Sequence, residues 1–137
     1  MQQSQWAGVF AAITTPFLAD DLAVDHTALA KHVTWLVDNG SRGIVALGSL
    51  GESATLAFDE KVQILETCVR AIDGRVPVIS GIAGLATAEC EALAREAARV
   101  GCDGIMALPA YVYWSDWRET RAHYGAIIGA TRLSCML

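Results

Sequence analysis

One short loop combines small, polar and acidic residues in a pattern that could bind an anion. It follows the apolar run 43–47 and reads Gly48, Ser49, Leu50, Gly51 and Glu52. Two glycines three residues apart let backbone N–H groups and a hydroxyl converge on an anion such as a carboxylate. The loop lacks the glycine placement of a nucleophile elbow or dinucleotide fingerprint and the Gly-Lys pair of a P-loop. On these residues alone, a carboxylate cradle and a plain tight turn with Glu52 or Ser53 near a helix cap both stay open.

The two lysines, Lys31 and Lys61, are the candidate amine nucleophiles of this chain. Both lie in predicted helices, which form the outer ring of a parallel α/β barrel. A lysine that forms a Schiff base needs a desolvated or cation-flanked pocket, which an exposed helical position does not provide. We therefore expect both to be solvated surface residues that cannot reach the strand ends.

The histidines and cysteines predict no metal site. His26 and His32 are six residues apart and on different helical faces, and His123 is remote in sequence. The cysteines are widely spaced, without zinc or redox spacing, and we expect reduced core thiols at Cys68, Cys90, Cys102 and Cys135.

Composition limits the partners of the chain. It has 137 residues, 53% of them hydrophobic, and a formal net charge of −5. No basic stripe could neutralise phosphates, so nucleic acid is not an expected partner. No apolar run reaches the roughly 18 residues that span a bilayer, and the N-terminus has no basic signal region. We expect a single cytoplasmic domain that has no membrane partner.

The apolar pattern alternates strand and helix along the whole chain. Strands are predicted at residues 8–14, 43–47, 76–82, 104–108 and 133–137. Helices are predicted to begin at the caps Asp25 and Asp59, at Thr87 and near Asp116, and Gly101 is predicted to end the third. The second helix is predicted to turn Val62, Leu65, Val69 and Ile72 inward. The strand runs are continuously apolar, which favours parallel strands covered on both faces. Residues 39–47 and 100–108 repeat one pattern of helix end, turn and strand.

Repeated units of one strand followed by one helix fit either an open doubly wound sheet or a barrel. The sequence ends within an apolar strand, whereas native termini are usually exposed and polar. Four βα units and a fifth strand are about half of the roughly 250 residues of a complete barrel. We therefore expect an α/β fold, a partial TIM (β/α)8 barrel, with residues 1–137 as its N-terminal half.

Four stretches together resemble the dihydrodipicolinate synthase and N-acetylneuraminate lyase family. Residues 48–56 resemble the Gly-(Thr/Ser)-x-Gly-Glu loop of this family. Three further stretches resemble family sequences and have the family's spacing along the chain, namely residues 12–17, 75–81 and 109–111. The resemblance implies a lyase, a Schiff-base aldolase or hydro-lyase, whose lysine condenses with pyruvate or another 2-oxo acid. It implies no cofactor and a homo-oligomeric, tetrameric parent enzyme.

The resemblance also implies roles for individual residues. Gly48, Ser49 and Leu50 fall where the family binds the substrate carboxylate, Leu50 through its backbone N–H. Ser49 and Tyr111 fall at the proton-relay positions; Tyr111 also fits an aromatic residue that packs at an interface.

Two positions depart from the family pattern. Leu50 replaces a second hydroxyl residue and Ala110 a common tyrosine, which argues against lysine-biosynthesis activity. An apolar residue at Leu50 resembles the hydratase-aldolase branch, and Trp114 and Trp117 offer an apolar wall for such substrates.

The catalytic tyrosine and Schiff-base lysine of the family would follow residue 137, so we expect this chain to be inactive alone and marginally stable. A self-contained anion-binding α/β domain without covalent chemistry is the alternative. A third reading is a structural remnant that associates with full-length subunits.

Overall fold

The computed structural model describes residues 3–110, 112 and 114–137. After a short 3-10 helix at Gln3–Trp6, strands and helices alternate. The strands are β1 Phe10–Ala12, β2 Gly43–Ala46, β3 Val78–Ile82, β4 Gly104–Ala107 and β5 Ser134–Met136. The helices are α1 His26–Asp38, α2 Phe58–Ile72, α3 Thr87–Val100 and α4 Trp117–Gly129. Every predicted element is therefore present, with strands one to four residues shorter than predicted.

The five strands form one parallel sheet in the order β1-β2-β3-β4-β5. Ile44 pairs with Val78, and Ile79 with Gly104. The order never reverses, so the sheet lacks the switch point of a doubly wound fold. Sequential parallel strands with one helix between each consecutive pair are the arrangement of a (β/α)8 barrel, and this chain forms part of one.

The core lies between the sheet and its helices. One face of the strands contributes Ile44, Val78 and Ile105, all at most 2% exposed. The helices bury side chains against that face, including Leu29, Val33, Leu65, Leu93 and Ile127. Covering this face removes large aliphatic side chains from water, which is the main stabilising term of such a layer.

Three of the predicted helix ends are confirmed. The Asp25 carboxylate accepts a hydrogen bond from the N–H of Ala28 at 2.8 Å and caps α1. Asp116 caps α4 in the same way through the N–H of Glu119. Gly101 ends α3 with φ +96°, a left-handed conformation that glycine adopts without strain.

The predicted start of α2 is wrong by two residues. The helix begins at Phe58 with Ala57 as its N-cap, so Asp59 lies inside the first turn. Ala57 is extended, and its N–H donates to the Glu60 carboxylate at 2.8 Å. Glu60 therefore accepts from the N–H of the N-cap residue, whereas Ala57 has no side-chain oxygen to accept from the first-turn N–H groups as a capping Asp would.

The cysteines are free, as predicted, and Cys68, Cys90 and Cys102 are buried, whereas Cys135 on β5 is only half-buried. Burial raises the pKa of Cys68 and of Cys102 to about 12. A buried thiol with so high a pKa stays protonated near neutral pH, so these side chains behave as small apolar groups. No helix among the described residues is long and apolar enough to cross a membrane.

The cap of α1 can be tested with two variants of one residue. Asp25→Ala removes the acceptor for the Ala28 N–H, and we expect it to lower the free energy of unfolding by about 1 kcal/mol. Asp25→Asn keeps a capping oxygen and is expected to retain most of that stability. Urea unfolding followed by circular dichroism measures both; equal losses in the two variants would contradict the capping role.

Candidate binding loop at the ends of the strands

The loop after β2 begins with a strained residue. Leu47 is 1% exposed and has φ +61°, a conformation rarely adopted by residues other than glycine. The chain then makes two consecutive turns, closed by hydrogen bonds from Gly51 N–H to Gly48 O at 3.0 Å and from Glu52 N–H to Ser49 O at 3.2 Å. The turns hold residues 48–52 at the carboxyl edge of the sheet, where parallel α/β folds place their sites.

The end of β1 holds this loop in place. Thr15 is buried, and its hydroxyl donates to the carbonyl of Gly51 at 2.8 Å. A Cβ on Gly51 would lie 3.1 Å from the carbonyl oxygen of Ile13, so only a residue without a side chain fits easily. Thr15, from the stretch 12–17, therefore fixes the position of the loop.

The loop leaves two backbone donors unused. Within the part of the chain that the structure describes, the N–H groups of Ser49 and Leu50 have no hydrogen-bond acceptor. Both residues are exposed, Leu50 to 64% of its surface. Adjacent free N–H groups in a turn present positive partial charge, which is the means by which backbone concavities bind anions.

The structure also revises how the two glycines contribute. A Cβ on Gly48 would meet nothing within 4 Å, whereas a Cβ on Gly51 would lie tightly against the Ile13 carbonyl just after β1. The helix-cap alternative is not supported, since Ala57 is the N-cap of α2 and neither Glu52 nor Ser53 occupies that place. Gly48, Ser49 and Leu50 are thus adjacent at the strand ends.

The neighbouring strand approaches this loop closely. A Cβ on Gly81 of β3 would lie 2.5 Å from the carbonyl oxygen of Leu47. A backbone atom cannot swing aside as a flexible side chain does, so glycine is required there. This close approach fixes Leu47, and with it the start of the loop, against β3.

The fourth loop is described only in part. Tyr111, the second predicted relay residue, lies outside the described residues. Pro109 and Ala110 follow β4 at the same edge of the sheet as the loop 48–52. The indole rings of Trp114 and Trp117 are both mostly exposed.

Comparison with known proteins identifies the family. The Dihydrodipicolinate synthetase family matches residues 5–137. This chain belongs to that family. A curated relative, 4-hydroxy-tetrahydrodipicolinate synthase of Gluconacetobacter diazotrophicus, is 34% identical over 137 residues, which are all of this chain and 46% of the relative. The chain thus spans about half the length of the curated relatives it matches.

Solved structures of the family share the fold. One is a prophage protein of the dihydrodipicolinic acid synthase family from E. coli K12, solved in complex with pyruvate. Its TM-score with this chain is 0.92 at 27% identity, and the match covers 96% of this chain and 44% of the prophage protein. N-acetylneuraminate lyase from Mycoplasma synoviae has a TM-score of 0.90 at 30% identity, and the match covers 96% of this chain and 46% of the lyase. Both branches named in the sequence resemblance are therefore represented, and members of the dihydrodipicolinate synthetase family are lyases.

The prediction for Lys61 is wrong, while Lys31 is exposed as predicted. Lys61 is only 6% exposed, and its ammonium lies 3.4 Å from the Glu89 carboxylate. It lines a cavity of about 320 Å³ together with Gly84, Leu85 and Pro109.

The burial of Lys61 follows from the orientation of α2. The predicted inward stripe included Val62 and Val69, but both are only half-buried, and the buried face runs through Lys61, Leu65, Cys68 and Ile72. The spacing of 61, 65, 68 and 72 was the signal that sequence reasoning missed. The helix starts at the carboxyl edge of the sheet, so its first turn, with Lys61, lies near the strand ends.

The tight contact at Gly81 gives a stability test with an internal control. We expect Gly81→Ala to lower the free energy of unfolding by about 1–3 kcal/mol, because the new methyl group meets the Leu47 carbonyl. Gly48→Ala adds the same group to open space and is expected to change stability by less than about 0.5 kcal/mol. Chemical unfolding of both variants checks this, and similar losses would show that the β2–β3 approach is not tight.

Proposed function

We propose that this chain supplies the carboxylate-binding part of a Schiff-base lyase that acts on pyruvate or another 2-oxo acid. The observation that carries the proposal is the pair of N–H groups at Ser49 and Leu50, which have no acceptor among the described residues, on a loop held at the strand ends. A charge-assisted hydrogen bond to each is the interaction that a substrate carboxylate would make there. The pyruvate complex of the E. coli relative supports a substrate of this class.

The reaction proposed for the parent enzyme is covalent catalysis by a lysine. The amine adds to the 2-oxo carbonyl and water leaves, which gives an iminium that accepts electrons from the adjacent carbon–carbon bond. Ser49 and Tyr111 pass protons in this proposal, and the Ser49 hydroxyl is exposed on the loop as such a role requires. No cofactor takes part.

In this proposal, neither lysine of this chain is that nucleophile. Lys31 is exposed on α1, and Lys61 is paired with Glu89 in a cavity whose lining includes none of residues 48–52. In this proposal residues 1–137 form a single domain, the N-terminal half of a barrel. The lysine and the catalytic tyrosine come from residues outside it, and this chain alone forms no Schiff base.

Leu50 favours a 2-oxo acid with an apolar group. Its side chain is 64% exposed and lies beside the proposed carboxylate contact, where a hydroxyl side chain would contribute a polar group. Ala110 and the exposed rings of Trp114 and Trp117 add small and apolar surface after β4. We therefore propose an apolar or aromatic substituent on the substrate rather than the lysine-biosynthesis substrate.

The second candidate function is binding of a small anion without covalent chemistry. It is favoured by the same free N–H groups, which can hold a carboxylate in the absence of a lysine. A third candidate is a structural element that associates with full-length subunits. The parent enzyme in the main proposal is a homo-oligomer, as the resemblance implies, and cytoplasmic, as the composition suggests.

Borohydride trapping separates covalent from non-covalent binding. The chain is incubated with pyruvate and borohydride, and its intact mass is then measured. Each reduced Schiff base adds about 72 Da to that mass. We expect no adduct on this chain and a clear adduct on the full-length Gluconacetobacter relative treated in parallel. A stoichiometric adduct that peptide mapping assigns to Lys61 would show that the buried amine is the nucleophile and would overturn the placement above.

Two variants of Leu50 test the backbone contact. Leu50→Pro removes the N–H, and Leu50→Ala keeps it while shortening the side chain. We expect pyruvate affinity, measured by NMR titration, to fall roughly tenfold to a hundredfold in the proline variant because one hydrogen bond to a charged group is lost. The alanine variant is expected to bind within about threefold of the original chain, the loss of an exposed side chain being minor. Absence of pyruvate binding by the unmodified chain would contradict the cradle itself.

A further inference from the structure

We propose that the groove between α1 and α2 binds the phosphate group of a small phosphorylated molecule. This α1–α2 groove has a volume of about 410 Å³. Its polar lining residues are His26, Thr27 and Lys31 of α1 and Thr67 and Arg70 of α2. None of residues 48–52 lines it, so the proposal does not depend on the proposed enzymatic function.

Two cationic side chains, one from each helix, line the α1–α2 groove. Lys31 and Arg70 are both exposed. Within the part of the chain that the structure describes, neither side chain makes a hydrogen bond or an ion pair. The groove lining contains no carboxylate. Like charges that share a groove repel each other, and an anion bound between them replaces this repulsion by attraction.

The neighbouring helix pair has a different arrangement of charges. Between α2 and α3, the Arg99 guanidinium lies 3.2 Å from the Glu66 carboxylate, so a cation on one helix meets an acid on the other. The carboxylate of Asp25, just before α1, accepts from the Ala28 N–H. The two acidic residues that adjoin the groove in sequence, Asp25 and Glu66, are thus engaged elsewhere. The cations of the groove remain available to an external anion.

The α1–α2 groove also contains a histidine that is held by a hydrogen bond between the helices. His26 Nδ1 lies 2.9 Å from the hydroxyl oxygen of Thr67, which is buried on α2. When this hydroxyl donates to Nδ1, Nε2 carries the ring proton and is a hydrogen-bond donor. Neither Nε2 nor the Thr27 hydroxyl has a partner among the described residues. The two cations are therefore accompanied by two further donors.

A phosphate group matches this set of donors better than a carboxylate does. A phosphate monoester carries a charge of about −1.5 to −2 near neutral pH, and its three terminal oxygens accept strong hydrogen bonds. The planar guanidinium of Arg70 can bind two of these oxygens, and the Lys31 ammonium can bind the third. A carboxylate offers two oxygens and a single charge. Two cations suit one phosphate group rather than the row of phosphates in a nucleic acid.

Titration with phosphate tests the groove directly. The isotope-labelled chain is titrated at constant ionic strength with inorganic phosphate, glycerol phosphate or acetate, and its amide signals are followed by NMR. We expect saturable shifts for residues 26–31 and 67–71, with glycerol phosphate binding at least as tightly as inorganic phosphate. Acetate is expected to bind at least about tenfold more weakly, because it has a smaller charge and fewer oxygens.

Several results of the titration would overturn the proposal. One is the absence of saturable shifts. Another is a set of shifts confined to residues 48–52, which would place the anion on the binding loop. Equal binding of acetate would remove the argument for phosphate. Binding of inorganic phosphate but not of glycerol phosphate would show that the groove does not accept a phosphorylated molecule.

Neutral variants of the two cations locate the site. We expect Lys31→Gln and Arg70→Gln each to weaken binding of glycerol phosphate about threefold, and the double variant about tenfold, because exposed charged contacts each contribute modestly. Arg121→Gln is the control, since Arg121 is exposed on α4 and has no ion pair within the described chain. It should leave the affinity unchanged. Unaltered binding in the double variant, or an equal loss in the control, would rule out this groove.

A charge reversal gives an independent test of the geometry. Lys31→Glu places a carboxylate in the same groove as Arg70, where it can take the place of the external anion. We expect this variant to lose phosphate binding and, at low ionic strength, to unfold at a higher urea concentration than Lys31→Gln, because attraction replaces repulsion. An equal or lower midpoint for Lys31→Glu would show that the two side chains do not share the groove and would overturn the proposal.

Discussion

The close contact between β2 and β3 at their carboxyl ends fixes the geometry of the binding loop. Gly81 brings β3 against the carbonyl of Leu47, and Leu47 takes a left-handed conformation as the chain leaves β2. On the other side, the buried Thr15 hydroxyl binds the Gly51 carbonyl. Three neighbouring strands thus hold one loop, and its free N–H groups are presented by a rigid frame. Preorganised donors bind an anion better than donors that must first be ordered.

Much of the fold could be predicted from the sequence because the signals are local and repeated. Continuous apolar runs indicated the strands, and caps such as Asp25 and Gly101 indicated helix ends, since each satisfies a backbone group at a defined place. The start of α2 was missed because Asp59 is a good capping residue in isolation, while the observed acceptor for Ala57 is Glu60, three residues away. The backbone geometry at Ala57 determines whether Asp59 or Glu60 contributes to the cap, and that geometry cannot be read from the residue types.

The site was predictable only in outline. The position of the loop 48–52 follows from strand order, but the roles of its glycines do not. Gly51 packs closely against the carbonyl of Ile13, which is distant in sequence. Lys61 was misplaced for a related reason. A lysine in a helix is normally exposed, yet its long aliphatic stem allows it to lie on an apolar face while its ammonium meets Glu89 on the next helix. That partner is 28 residues away and becomes visible only once α2 and α3 are packed together.

Binding and covalent chemistry are physically separable in this fold, which matters for what the chain can do by itself. The carboxylate contact needs a short turn and its supports, all of which come from β1, β2 and β3. A Schiff base needs, in addition, an amine directed at the same point from another part of the rim. Lys61 is a buried lysine beside the strand ends, but its ammonium lies 3.4 Å from the Glu89 carboxylate, in a cavity whose lining includes none of residues 48–52. Under the proposed function, a chain with these elements would bind an anion without converting it, and the chemistry would depend on the residues that complete the barrel.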